Sequence, residues 1–185
     1  MSGGEDAFLS AGRVDYDAVA RGELDPERLG EALSKAWAGE YDLVVPDAEL
    51  VEITLGTLTY LFDITESRTL GVYGRSAPTG APRPATRMRG HPSYNRPGRP
   101  ATDRGHLAAH SLGGGADLNL VAQNHLLNVS GEWRNLERYA QQHLGTFFAV
   151  HARYENHDDR PTSFVYALIR EGQLHTRAFD NDAPS

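Results

Sequence analysis

The sequence predicts an α+β fold: an antiparallel sheet with a strand–loop–strand–helix unit in its middle and a short helical N-terminal extension. Three observations predict it. A capped amphipathic helix precedes a run of short β-rich segments. A strand, a turn-rich connection, a second strand and a helix then follow between residues 103 and 145. Three further strands close the chain.

Residues 1–15 read as loose. Asp25-Pro26-Glu27 is a helix start, with an Asp cap, Pro at the first helical position and an acid in the first turn. That helix should run to about Gly39, with Leu29, Leu33, Ala36 and Trp37 on one stripe. Val44–Val45, Leu50–Leu55 and Leu58–Ile64 are β-rich, and Arg68–Gly74 is the return strand of a hairpin turned at Thr65-Glu66-Ser67. Residues 76–101 carry six prolines and should form a long loop; loops of that length in compact domains are uncommon unless functional. Asp103–Ala109 and Leu118–Gln123 are strands joined by a glycine-rich turn. Ser130 caps a helix whose apolar face is Trp133, Leu136, Ala140 and Leu144, and Gly145 ends it. Phe147–Tyr154, Ser163–Arg170 and Leu174–Phe179 are the closing strands. We divide the chain into an acidic, partly helical extension, residues 1–50, and a main domain, residues 51–181.

At 185 residues the chain is long enough to bury a core without staples, and the absence of Cys excludes disulfides and thiolate metal sites. No apolar run approaches a membrane span, and no secretory signal is visible, so we expect no membrane partner. The expected setting is the cytoplasm of the producing cell, or a translocated effector. The overall charge of −7 hides an asymmetry. Residues 1–66 hold 15 acids and four bases, a net −11, whereas residues 67–185 are +4. Residues 67–102 contain seven arginines and no acid. Charge alone fits two readings equally: a polyanion-binding loop, or a solvated one.

The chemistry concentrates in Asp103-Arg104-Gly105-His106, Asn119 to Gln123, Asn128 and Glu132 to Glu137. One imidazole is flanked by a guanidinium, followed by neutral amides and a helical carboxylate. Zinc is disfavoured: His106 and His110, read on a strand, lie about 13 Å apart. No Gly-x-Ser-x-Gly elbow exists for a serine hydrolase. Magnesium, which takes hard oxygens and keeps several waters, suits the set. Asn119 and Gln123 read equally well as residues that satisfy turn backbone. Trp133 reads as core, and His110, His125, His143, His151 and His157 as surface or packing residues.

These residues resemble the DNA/RNA non-specific endonucleases of the ββα-metal superfamily, marked by an Asp-Arg-Gly-His strand, a later Asn, and a Trp and Glu beyond. The matching positions are Asp103 to His106, Asn128, Trp133 and Glu137. Arg160-Pro161-Thr162 and the closing Arg177-Ala178-Phe179-Asp180-Asn181 resemble the C-terminal hairpin of the branch found as bacterial toxin domains. The resemblance covers about residues 57–181. It implies that His106 is a general base, that Mg²⁺ (Mn²⁺ substituting) is held through Asn128 with Asn119 as a further candidate, and that Glu137 orients metal-bound water. It further implies that Arg104 and Arg75 offset phosphate charge. Arg87, Arg89, Arg96 and Arg99 become phosphate contacts. The expected reaction is hydrolysis of DNA and RNA to 5′-phosphate ends, with little sequence preference. An immunity or delivery protein is an expected partner. The alternative is a catalytically silent nucleic-acid-binding or partner-docking module on the same fold. In one respect the chain departs from the pattern: Asn128 precedes Trp133 by five positions instead of four. An extra residue turns a helix by about 100°. Either Asn128 sits just before the helix, with the insertion absorbed at Val129-Ser130, or the ligand geometry differs; the Ser130 cap favours the first.

Overall fold

The computed structural model describes residues 8–22, 25–78, 102–115, 118–129 and 131–182. Most of the 76–101 loop, with Arg87, Arg89, Arg96 and Arg99, and the Ser130 cap lie outside the described residues. Among the described residues, no helix is long and apolar enough to cross a membrane.

The chain opens with β1 (Leu9–Ser10), β2 (Arg13–Val14), α1 (Tyr16–Arg21) and α2 (Pro26–Asp42). Residues 9–15, expected to be loose, instead form a small hairpin leading into α1. The causes are tertiary. Val14 is buried, its N–H donates to Glu40 Oε2 at 2.7 Å, and Asp15 caps α1 by accepting from the Ala18 N–H. Asp25 caps α2 as expected, accepting from the N–H groups of Glu27 and Arg28. The helix continues past Gly39 to Asp42, and Val44–Val45 are not a strand. Their N–H groups both bond the Tyr41 carbonyl, winding the chain off the helix end.

A six-stranded antiparallel sheet follows, built from β3 (Leu50–Leu55), β4 (Leu58–Asp63), β5 (Arg68–Arg75), β8 (Phe147–Arg153), β9 (Ser163–Arg170) and β10 (Gln173–Asp180). Its order is β10-β9-β8-β5-β4-β3. Between β5 and β8 the chain inserts β6 (Thr102–His106), β7 (Leu120–Asn124), α3 (His125–Val129) and α4 (Gly131–Gln142). β6 and β7 pair with each other as a separate ribbon.

Three layers result. On one face of the sheet, α2 lays Trp37 over Gly71, stacks it on His151 and tilts it against Tyr73. On the other face, α4 sets Trp133 edge-on to Phe164, Tyr166 and Phe179. Phe164 and Tyr166 share that face of β9, and Phe179 on β10 is the cross-strand partner of Phe164. Trp133 is core, as its stripe predicted. Leu107, Ala108 and Leu112 pin the chain just beyond β6 into the same core. So do Leu29, Leu33, Ala36 and Trp37 of α2. Among the described residues, the acidic N-terminal region and the following domain thus contribute to one core.

His151 shows what α1 and α2 contribute. Tyr16 Oη lies 3.0 Å from His151 Nδ1 and accepts from Trp37 Nε1 at 2.9 Å. Burial, reinforced by the Arg153 charge, holds the His151 pKa well below the usual imidazole value. It is a neutral packing residue.

Candidate active site

β6 ends at His106, not at Ala109. The chain then turns through Leu107–Ala109 into a short 3₁₀ turn at His110–Leu112. Asn119 shapes this turn. Its Oδ1 accepts from the Ala108 N–H at 2.7 Å, and its Nδ2 donates to the carbonyls of Ala108 and Gly115 at 2.6 and 2.9 Å. Asn119 is buried, and both ends of its amide are committed to backbone. The structure thus places it in the turn-satisfying role that the sequence left open beside metal binding.

Successive residues of a strand face opposite sides. Arg104 and His106 therefore share one side of β6, where their partners are Ala122 and Leu120. Asp103 and Gly105 share the other. There the Gln123 side chain lies across Gly105, so close that a Cβ on residue 105 would sit 2.4 Å from the Gln123 Cβ. The motif glycine is required by this approach.

Asp103 joins the strand to the helices. Its Oδ2 accepts from Asn128 Nδ2 at 3.0 Å and lies 2.8 Å from His125 Nδ1. A carboxylate offers only acceptors, so the amide nitrogen of Asn128 must face it and Oδ1 must turn away. Asn128 occupies α3, separate from α4, and Gly131 with φ +76° makes the break. Asn128 thus lies within a short helix of its own, not in a stretch just before the helix as expected, and Ser130 lies outside the described residues.

Glu137 lies one turn beyond Trp133 and is almost buried. Trp133 Nε1 donates to its Oε1 at 3.0 Å, and the Arg134 guanidinium is 3.4 Å from Oε2. It lines a polar cleft between the 3₁₀ turn and α4, together with Ser111, Arg134, Asn135, Arg138 and Gln141. Burial, with the nearby Glu137 charge adding, raises the Tyr166 hydroxyl pKa well above normal. Arg134 and Arg138 were not singled out in the sequence. Their i,i+4 spacing on the polar face of α4 is the signal that could have found them.

Arg75 is exposed at the end of β5, donates to the Gly145 carbonyl at 3.1 Å, and lines a different cleft beside Glu27 and Glu31. His110 meets the Gly114 carbonyl, His143 stacks on Tyr139, and His157 pairs with Glu66.

Among the described residues, no three His, Asp or Glu side chains cluster as a metal cage. A divalent ion here would depend on hard oxygens and its own waters. The Oδ1 of Asn128, which the acceptor-only Asp103 carboxylate cannot engage, fits magnesium or manganese in that mode.

Strand, turn, strand, Asn-bearing helix and Trp-x-x-x-Glu helix thus stand in one packed unit. A family model of DNA/RNA non-specific endonucleases matches residues 55–168. The chain belongs to the DNA/RNA non-specific endonuclease family. No curated protein matches it. The matched span runs from the end of β3 to Leu168 in β9, so α1, α2, most of β3 and β10 of this endonuclease lie outside the family match. As a member of the family it is a nuclease with a nucleic-acid substrate.

Proposed function

We propose that this endonuclease hydrolyses phosphodiester bonds with water as nucleophile and His106 as general base. The observation that carries the reading is the Asp103–Asn128 contact, which docks the amide-bearing helix onto the strand that ends in His106. Neutral His106 takes a proton from water as its oxygen attacks phosphorus. The bond to the 3′ oxygen breaks, and the phosphate stays on the 5′ side. Positioned bases of this kind contribute about 10²–10⁴-fold. Arg104, on the His106 side of β6, offsets charge on the phosphorane. Glu137, held by Trp133 and facing the polar cleft, orients water. Asn128 Oδ1 would hold Mg²⁺ or Mn²⁺, which when bound supplies positive charge to the phosphate and leaving oxygens. Asn119 and Arg75 stand outside this proposal, because backbone carbonyls and N–H groups occupy the first and the Gly145 turn holds the second.

Water as nucleophile makes the 2′-OH unnecessary, so DNA and RNA are both substrates. The biological setting we propose is a delivered toxin or defence effector with an immunity or delivery partner. It rests on the resemblance of the C-terminal hairpin.

The test pairs His106→Ala with Asn128→Ala. His106→Ala should lower kcat about 10²–10⁴-fold while Mn²⁺ binding to the protein alone is unchanged. Asn128→Ala should weaken Mn²⁺ binding, with activity partly restored by excess metal. Undiminished cleavage in EDTA, or the same defect in both variants, would overturn the assignment.

A further inference from the structure

The two closing motifs, Arg160-Pro161-Thr162 and the segment ending at Asn181, take no part in the chemistry above. The structure brings them together against the active-site ribbon. Asn181 is fully buried. Its Oδ1 accepts from the Asn124 N–H at 2.6 Å, and its Nδ2 donates to the carbonyls of Ala122 and Pro161 at 3.0 and 2.7 Å. A side-chain amide thus pairs with two backbone groups of β7, as a neighbouring strand would.

Asn181 is itself held. Its N–H donates to the Thr162 carbonyl, and its carbonyl accepts from the Arg160 guanidinium, which also pairs with Asp182. The contact reaches α3 in one more step. Asn124 Oδ1 accepts from the Leu126 N–H at 2.9 Å, capping the helix that carries Asn128. β6 and β7 hydrogen-bond to each other as a ribbon apart from the six-stranded sheet. A polar contact thus crosses from the residue just past β10 to the ribbon's last residue, next to α3.

We propose that Asn181 is a positioning residue for the nuclease: it fixes the end of β7 so that α3 presents Asn128 to the metal. The proposal rests on the reading of Asn128 as the ion's protein ligand. It assigns a role to a residue 53 positions downstream of Asn128 and outside the family match. Partners that orient a metal ligand typically change affinity about 10–100-fold when lost.

The experiment compares Asn181→Ala, Asn181→Asp and Leu33→Ala in the full chain. Asn181→Asp keeps an acceptor for the Asn124 N–H but sets a carboxylate against two carbonyls. Leu33→Ala opens a cavity on α2, in the layer opposite the ribbon, and serves as a control for lost stability alone. Mn²⁺ affinity is read by electron paramagnetic resonance without nucleic acid, alongside kcat and KM on DNA and amide exchange of residues 120–129. Both Asn181 variants should weaken Mn²⁺ binding about 10-fold or more and lower kcat, with KM within about 2-fold. The Asn124 amide should lose protection. Leu33→Ala should lower Tm yet bind Mn²⁺ like wild type. Wild-type Mn²⁺ affinity in a folded Asn181 variant, or an equal loss in Leu33→Ala, overturns the clamp. If Asn128→Ala also binds Mn²⁺ like wild type, the ligand assignment falls instead. A defect in Asn128→Ala without one at Asn181 refutes the clamp alone.

Discussion

Gly105→Ala tests the motif where its geometry is tightest. A Cβ built there meets Gln123 Oε1 at 2.1 Å, Cβ at 2.4 Å and Cδ at 2.9 Å. The Gln123 amide can rotate away, but its Cβ is fixed to β7 backbone. Carbon atoms prefer about 3.5 Å, so relief requires β6 and β7 to part by about 1 Å. Overpacking of this kind costs about 1–3 kcal/mol. At about 2–4 °C per kcal/mol for a chain of this size, Tm should fall by about 2–12 °C. Gly115→Ala is the matched control, since a Cβ there meets nothing within 4 Å. It should stay within about 0.5 kcal/mol of wild type. Thermal unfolding by circular dichroism compares the two, with nuclease assays below both transitions. Activity of Gly105→Ala should fall further than stability explains, because the displaced strand carries Arg104 and His106. Equal Tm values for the two variants, with activity intact, would refute the steric account of this glycine.

Two further outcomes follow from other parts of the structure. Arg134→Gln with Arg138→Gln removes two cations from the polar cleft beside Glu137; if the cleft takes phosphates, the slope of log binding constant against log salt should flatten by about 1.8 on duplex DNA. Fluorescence anisotropy in EDTA measures it, and an unchanged slope would place the substrate strand elsewhere. His151 has its folded pKa depressed by burial, so the unfolded chain binds its proton more readily and stability must fall as pH drops below about 6.5. The fall is at most about 1.4 kcal/mol per pH unit from this group, and His151→Gln should flatten the Tm profile between pH 7.5 and 5. A profile unchanged by the substitution would mean that other groups dominate acid unfolding.

The strands Leu50–Leu55 and Ser163–Arg170 and the Asp25 cap were legible residue by residue. Alternation, caps and turn residues act within a few positions of themselves, so they are written locally. The Asp-Arg-Gly-His, Asn and Trp-x-x-x-Glu pattern was legible for the same reason: its order and spacing survive in one dimension. Sequence alone could not divide the work among the amides. Asn119 and Asn128 are alike as residue types, and packing decides that one closes a turn while the other faces Asp103. Nor could it show that α2 completes the core, because Trp37 is buried against Gly71, Tyr73 and His151, more than thirty residues away in the chain. The role of Asn181 lies furthest from local reach. Its partners Ala122 and Asn124 meet it only once the sheet has closed, and hydrogen bonds between groups so distant in sequence are a property of the fold.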